Sequence, residues 1–516
     1  MRPVGERSIF VSGPMGAGKS AVALALAARL GRRHVDLDAR IVATSGRSIE
    51  RIFADGGEPA FRALEARLAE EVLGEESAVV ALGGGAVTQT PLRRRLLAEG
   101  TLVTLEARTD VLLARVGGGE GRPLLQPDPR RAMESLRARR AAVYAECHGR
   151  VDTSDLALGE VVERVASLAS EVRVPVPLGE DSYVVEVGEG YRHRLEERVA
   201  GYGGVILVAD PNTERYRDEP AFEACRVTLD EGEAHKTIDA VARIWDAALA
   251  YGVDRRAMVV AVGGGVVGDL TGFAAASLLR GVAFGQVPTT VLSMVDSSVG
   301  GKTGFNRSAG KNLVGAFHQP KFVLCDPVVL DTLAPAERIA GLAEVAKAAW
   351  LEGEEAVARL ERDAEALVRG DRAATITAIE SAVRTKARVV ALDERESGVR
   401  MLLNLGHTVG HGLEAAAGYG ALRHGEAVSL GMVAAMRVAM ARGRASASAA
   451  ERMEALLHAL GLPVDLDARL GAEVWPYVDA DKKRQGDAVR FIVPGEPGQT
   501  RVETLPVDEV RRAVER

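Results

Sequence analysis

The sequence predicts an α/β protein: two successive βα units on parallel sheets, followed by a mostly helical region. Three observations carry this. Short apolar runs alternate with amphipathic stretches through both units, the pattern of strands joined by helical crossovers. A GxxxxGKS loop stands between an apolar run and a helical stretch near the start of the chain. A second glycine turn, Gly263-Gly264-Gly265, also leaves an apolar run and opens a helix.

Taken in order, SIFVSG, HVDL, AVVAL and TLVTLEA read as strands, and Ser20–Leu30 and Leu156–Glu171 as helices. They make a first domain over residues 1–170. Two prolines and a glycine in VRVPVPLGED predict a linker over 171–180. The second unit, 181–335, offers YVVEVG, VILVAD, RVTLD, MVVAVGGG and VAFGQVPT as strands, with a helix over Thr237–Tyr251. From about Pro335 helical periodicity takes over. Residues 336–516 therefore form a helical domain, broken late by VRFIVPG.

Composition limits the function classes. The 516 residues are 47% hydrophobic and 27% charged, enough for several ordinary cores, but only 4% are aromatic, so the cores rest on Ala, Val and Leu. A net charge of −7 argues against general nucleic-acid or anionic-membrane binding and leaves small molecules as the expected partners. The charge-free run Ser77–Leu92 is too short and polar to span a bilayer. The opening residues lack a signal-peptide apolar region, and three widely spaced cysteines suit a reducing compartment, so a cytoplasmic location is expected. Only nine of the 65 basic residues are lysines. In a chain that writes nearly every cation as arginine, lysine marks places where a compact ammonium is needed.

The loop Gly13-Pro14-Met15-Gly16-Ala17-Gly18-Lys19-Ser20 has the pattern that wraps a polyphosphate in backbone N–H groups at a helix N-terminus. Lys19 would reach the terminal phosphates and Ser20 would hold Mg²⁺. Asp36 and Asp38 end the second strand, where parallel sheets bind ligands. Gly56-Gly57-Glu58, Phe61-Arg62, Glu65, Gly83-Gly84-Gly85, Arg122-Pro123-Leu124-Leu125 and Arg139-Arg140 with Tyr144 follow. In that order and spacing, these elements make residues 1–170 resemble shikimate kinase. The resemblance implies an ATP site at Gly13, Gly16, Ala17, Gly18, Lys19 and Ser20. It implies Mg²⁺ ordered by Ser20 and Asp36, and shikimate held by Asp38, Arg62, Gly84 and Arg140. Lys19, Asp38 and Arg122 would be the catalytic groups, with Arg122 closing over the transferred phosphoryl.

In the second unit, Gly264 and Gly265 permit close approach of a pyrophosphate, and Asp210 and Asn212 end a strand where a ribose could bind. Metal candidates lie further on: His407 and His411 share a helix face at i and i+4, His424 follows, and Glu344 is an available carboxylate. Lys302, Lys311, Lys347, Lys386, Arg400 and the Lys482-Lys483 pair gather positive charge suited to a phosphate plus a carboxylate.

From about residue 180 onward, GGGVVGDLTGFAA, VPTT, VDSSVGGKTG, GKNLVGAFHQP, GLAEVAK, DERESGVR, GHTVGH, HGEAV and DKK resemble 3-dehydroquinate synthase. The resemblance implies Glu344, His407 and His424 as ligands of Zn²⁺ or Co²⁺, and it moves His411 from the metal to the substrate region. It places Asp296, Lys302, Lys311, Asn312, Lys347, Lys386, Arg400, Asn404, His411 and one of Lys482 or Lys483 at the substrate. Among these, Lys302, Lys347, Lys386, Arg400 and His411 are expected to be catalytic. NAD would meet Asp210, Asn212, Glu233, Lys236, Gly264, Gly265, Asp269, Thr289 and Thr290, with Lys302 and Lys311 at its edge. Ala348-Ala349 stand where that family commonly shows His-Gly after the lysine of GLAEVAK.

Together the two resemblances imply a P-loop kinase domain followed by a Rossmann-like NAD-binding domain and a mostly helical metal-binding domain. The expected activities are phosphorylation of shikimate, and conversion of 3-deoxy-D-arabino-heptulosonate 7-phosphate to 3-dehydroquinate plus phosphate. A homodimer through the synthase half is also expected. The rival reading is a gluconate-type kinase fused to a metal- and NAD-dependent alcohol dehydrogenase. Such a dehydrogenase has no need of so many phosphate- and carboxylate-facing cations.

Overall fold

A computed structural model describes residues 3–75, 77–117, 125, 127–308, 310–418, 421–479, 484–485 and 488–515. The chain divides into two compact units, residues 1–184 and 185–516. Among the described residues no helix is long and apolar enough to cross a membrane.

The first unit is built on five parallel strands, in the spatial order Arg33–Asp36, Ala78–Ala81, Ile9–Ser12, Thr101–Glu106 and Gly149–Asp152. Both faces are covered, so alternate residues feed two apolar layers. Ile9, Val11, Val79, Val103 and Leu105 join one, while Phe10, Val80 and Leu102 join the other. The helix over Ile49–Gly74 is two helices meeting at Gly57, which takes φ 69°. Pro59, just past that kink, suits the first turn of the second piece. This second piece carries Glu58, Arg62 and Glu65.

The expected linker is partly a strand. Val172–Val176 is extended because Val172, Val174 and Val176 are β-branched, and Pro175 has a φ compatible with that conformation.

The second unit has parallel strands in the order Tyr183–Val187, Val323–Cys325, Ala283–Pro288, Met258–Gly263, Val205–Ala209 and Cys225–Thr228. A two-stranded hairpin, Lys302–Arg307 with Gly310–Phe317, projects from it. Helices dominate the rest, with a small antiparallel sheet of Arg484–Gln485, Ala488–Val493 and Arg501–Pro506.

Three helices matter most: Pro335–Glu352, His407–Ala417 and His424–Ala441. They meet backbone to backbone. A Cβ on Gly425 would stand 1.8 Å from the carbonyl oxygen of Ala340, and one on Gly431 the same distance from that of Gly406. Glycine at these two positions sets how closely the helices bearing Glu344, His407 and His424 approach.

Gly431→Ala is therefore expected to lower the stability of the second unit by about 3 kcal/mol. It should also reduce bound divalent metal while leaving ATP turnover intact. Thermal melts and elemental analysis check this; unchanged melting and metal content would contradict it.

Candidate active sites

In the first unit, the phosphate loop leaves the central strand Ile9–Ser12 and enters the helix Lys19–Leu30. Gly13, Gly16 and Gly18 all have positive φ, which lets the loop fold back over the strand ends. No side chain caps the helix, so its first N–H groups point at an anion site. Lys19 Nζ donates to Pro14 O at 3.0 Å, across the mouth of the loop. Arg115 braces the loop from outside, donating to Thr153 Oγ1 and O at 2.9 and 2.8 Å and to Gly16 O at 3.4 Å.

Ser20 Oγ donates to Asp36 Oδ2 at 2.9 Å, while Asp36 Oδ1 caps the next helix through Ala39 N. A hydroxyl and a carboxylate at this contact are hard oxygen donors suited to Mg²⁺. Asp38 lies two residues on, in the first turn of that helix. Burial and then repulsion from Asp36 raise its pKa, and Lys19 and Arg62 counter only part of this.

Opposite stands the glycine loop 83–85. Arg140 Nη1 and Tyr144 OH both donate to Gly84 O, at 2.8 and 2.6 Å. The Arg62 guanidinium lies against Gly85, where a Cβ would overlap it. Arg62 also binds Glu65 at 2.5 Å and Glu58 at 3.1 Å. Glu65 is fully buried, and burial raises its pKa despite Arg62. Asp38, Arg62, Gly84, Arg140 and Lys19 are thus brought together. Arg122 lies outside the described residues.

In the second unit, ligand atoms of Glu344, His407 and His424 all lie within 4.8 Å of one another. The Nε2 atoms of His407 and His424 face Glu344 Oε1 at 3.6 and 3.8 Å. Each Nδ1 is occupied: His407 contacts Leu405 O at 3.2 Å, and His424 contacts Glu414 Oε2 at 3.5 Å. That fixes the ring orientation and leaves Nε2 for a ligand. Both Glu344 oxygens are buried without a hydrogen bond, although Lys347 stands in ion-pair contact with Oε2. A buried carboxylate lacking donors, faced by two imidazole nitrogens, fits a divalent metal. His411 stands beside the trio, its ring 5.2 Å from that of His407, and does not join the donor group.

Around the trio, every described cation expected at the substrate already touches an oxygen. Lys386 Nζ donates to Asp296 O and Oδ1 at 2.8 and 2.6 Å. Burial pushes the Asp296 pKa up, but Lys386 and Lys347 outweigh it and hold the carboxyl well below its usual range. Arg400 donates to Gly300 O at 2.8 Å and also to Glu394 O. Lys302 and Asn404 share Glu396, at 2.5 and 2.8 Å. Lys311 binds Glu414 at 2.6 Å.

The turn between Lys386 and Arg400 is held by Asp393. Its carboxylate accepts from Ser397 N and Oγ, Gly398 N and Arg400 N, at 2.7–3.0 Å. Burial alone would raise its pKa, but these donors hold it down at about 2.

The nicotinamide candidates surround the strand ends. The helix Gly265–Ser277 has no side-chain cap, again leaving N–H groups open to a pyrophosphate. Lys236 Nζ bridges Asp269 Oδ2 at 2.5 Å and Asn312 Oδ1 at 2.7 Å. Asn306 Nδ2 donates to Glu233 at 2.7 Å, and Asp210 Oδ1 accepts from Asn212 N at 3.0 Å. Thr289 is buried, and Thr290 shares a 2.9 Å hydrogen bond with Ser293.

Lys482 and Lys483 lie outside the described residues. Sequence reasoning missed Glu396, Glu414, Asp393 and Arg115. Glu414 has a faint signal, seven positions from His407 on one helix face. The others act through turns that periodicity does not register.

Comparison with known proteins agrees with this geometry. The family model for shikimate kinase matches residues 15–169. Those for the N- and C-terminal parts of 3-dehydroquinate synthase match 226–340 and 341–484. The 3-dehydroquinate synthase of Gloeobacter violaceus is 43% identical over 358 residues, covering 67% of this chain and 99% of that protein. That of Rhodospirillum rubrum is 45% identical, covering 62% and 87%. Among solved structures, 2-deoxy-scyllo-inosose synthase complexed with carbaglucose-6-phosphate, NAD⁺ and Co²⁺ is 25% identical with a TM-score of 0.59, covering 65% of this chain and 96% of its own. The 2-epi-5-epi-valiolone synthase of Streptomyces hygroscopicus, with NAD⁺ and Zn²⁺ bound, is 27% identical at the same TM-score, covering 65% and 97%. The gluconate kinase–alcohol dehydrogenase reading finds no support here. With relatives covered almost end to end, the chain belongs to the 3-dehydroquinate synthase family and carries a shikimate kinase domain ahead of the synthase, a bifunctional enzyme of the shikimate pathway.

Proposed function

We propose the following division of labour between the residues of the two sites. The observation that carries it is the Glu344–His407–His424 trio set among buried cations. A divalent metal on these donors would polarise the secondary alcohol of 3-deoxy-D-arabino-heptulosonate 7-phosphate, and NAD would take and return hydride. The two structural relatives that carry NAD⁺ with Co²⁺ or Zn²⁺ support this choice of cofactors.

The chain's own groups do the rest. Lys386 and Arg400, fixed by Asp296 and Gly300, bind the substrate's carboxylate and phosphate together with Lys302 and Asn404. Glu396 orients Lys302 and Asn404, and Glu414 orients His424 and Lys311. Lys347 neutralises Glu344 and lies close enough to assist at the same oxygen. His411 sits at the exposed rim, beside the substrate rather than on the metal. Asp210, Asn212, Glu233, Lys236, Gly264, Gly265, Asp269, Thr289 and Thr290 hold the nucleotide, with Lys302 and Lys311 bordering it. The net reaction leaves the nicotinamide unchanged, so the synthase acts as a lyase.

In the kinase, the loop from Gly13 to Ser20 cradles ATP and Ser20 with Asp36 holds Mg²⁺. Arg62 and Arg140 fork onto the shikimate carboxylate, and Asp38 aligns the accepting hydroxyl. The whole works in the cytoplasm, as a homodimer through the synthase half.

His407→Ala is expected to lose bound metal by elemental analysis and to lose phosphate release by more than about 100-fold. Kinase activity should persist. Unchanged metal content would overturn the ligand assignment. Arg62→Ala should raise the KM for shikimate by about 10–100-fold, the worth of one charge-assisted hydrogen bond, and that for ATP by less than about twofold. Comparable rises in both would remove Arg62 from the acceptor site.

Asp393 offers a pH test. Its folded-state pKa, about 2, lies below the ordinary value of about 4. Its contribution to stability is therefore complete above pH 4 and fades as the pH falls towards 2. Asp393→Asn should lower the urea midpoint at pH 6 and by progressively less towards pH 3. A difference independent of pH would show that the carboxylate is not the group that matters.

A further inference from the structure

A cleft of about 320 Å³ opens on the second unit, and none of the metal trio lines it. One wall is the 3₁₀ segment Val399–Asn404 and the Gly398 before it; the other is the strand pair Ala488–Val493 and Arg501–Pro506 with Thr500. None of the residues lining it serves either reaction as described above.

Its chemistry is mixed in a specific way. Val399, Met401, Leu402 and Val502 give it an apolar body, and Val399 and Val502 are 37% and 36% exposed. Arg490, paired with Thr504 two positions along from the Ile492–Val502 pair, shares the sheet face of Val502 and brings a guanidinium to that side. The Nε of Arg490 and the Oγ1 of Thr500 are buried without a hydrogen-bond partner. Buried donors left unmade are costly, and a guanidinium fork is shaped for a carboxylate. The volume is near the lower end for small-molecule sites, enough for one ring-sized body.

The wall is shared with the active site. Arg400 and Asn404, held by Gly300 O and Glu396, belong to the proposed substrate site, while Val399, Met401 and Leu402 of the same short segment line the cleft. Beyond the cleft, Phe491 and Ile492 border the small gap under Asn404 and Gly406.

We propose that this cleft binds a small carboxylate with an apolar, ring-sized body, anchored by Arg490, and that occupancy alters how the synthase holds its substrate. The kinetic half rests on the synthase reading above; the binding half does not.

Benzoate is the probe, titrated calorimetrically into the full chain loaded with metal and NAD⁺, with excess inorganic phosphate filling the cationic substrate site. Saturable benzoate binding is expected, at least tenfold weaker in Arg490→Met and lost in Val502→Trp, which fills the cleft from its exposed rim. If Arg490→Met does not fold, Val502→Trp decides alone. In the wild type, saturating benzoate should change the synthase KM at least twofold and leave the kinase rate unchanged. No benzoate uptake, uptake undiminished in the folded variants, or displacement by phosphate would each overturn the site. Binding that leaves the KM unchanged would overturn the coupling.

Discussion

The synthase half depends on keeping three cations out of water. Lys347, Lys386 and Arg400 are 2%, 8% and 1% exposed, a state that is tolerable only with close oxygen partners. Removing one member of such a pair costs about 3–5 kcal/mol, because it strands the other. The partners come from different elements. Lys386 on the helix Arg372–Leu392 reaches Asp296 in the short π-helical segment Ser293–Ser297 that follows the strand Ala283–Pro288, and Arg400 reaches the carbonyl of Gly300. The charges proposed to hold an anionic substrate therefore also tie the helical region to the parallel sheet of the second unit. Burial lowers the pKa of Lys386, but the nearby Asp296 carboxylate pulls it back towards the charged form.

The kinase unit meets the same constraint on a smaller scale. Glu65 is fully buried and its Oε1 has no hydrogen-bond partner, while Arg62 satisfies Oε2 and remains only partly covered. On the proposed reading, the carboxylate positions the guanidinium that meets the acceptor. Arg140 Nη1 and Tyr144 OH both donate to Gly84 O, which holds the glycine loop in place. In each unit the acceptor side is built from side chains held by other side chains. The nucleotide side is built from uncapped helix N-termini.

Much of this was legible in the sequence because it lies in local patterns. The two phosphate-binding turns are each contained within a strand–turn–helix, and their expected positions match the strands Ile9–Ser12 and Met258–Gly263. The segment 171–180 misled because prolines punctuate chains, yet alternating valines make 172–176 extended all the same. The metal centre was legible in part. Helical spacing brings His407 and His411 to one face, yet His411 is not in the donor group; the other donors, His424 and Glu344, come from two further helices, which spacing cannot supply. Glu396 was illegible for a related reason. It sits at φ 58° in a turn built by Asp393, so its aim depends on backbone geometry rather than period.

The scarcity of lysine now has a structural meaning. Every described lysine except Lys321 stands in one of the two sites: Lys19 at Pro14 O, Lys236 at Asp269, Lys302 at Glu396, Lys311 at Glu414, Lys347 at Glu344 and Lys386 at Asp296. Arginines instead lace the surface in exposed pairs such as Arg29–Glu163 and Arg108–Asp155. An ammonium is a compact point charge whose three donors rotate, so it can exchange a carboxylate for a substrate oxygen with little rearrangement. A guanidinium is planar and fixed. Arg400 fits that distinction: it is anchored to two backbone carbonyls, whereas the lysines around it stand against carboxylates, partners that an anionic substrate would be able to replace.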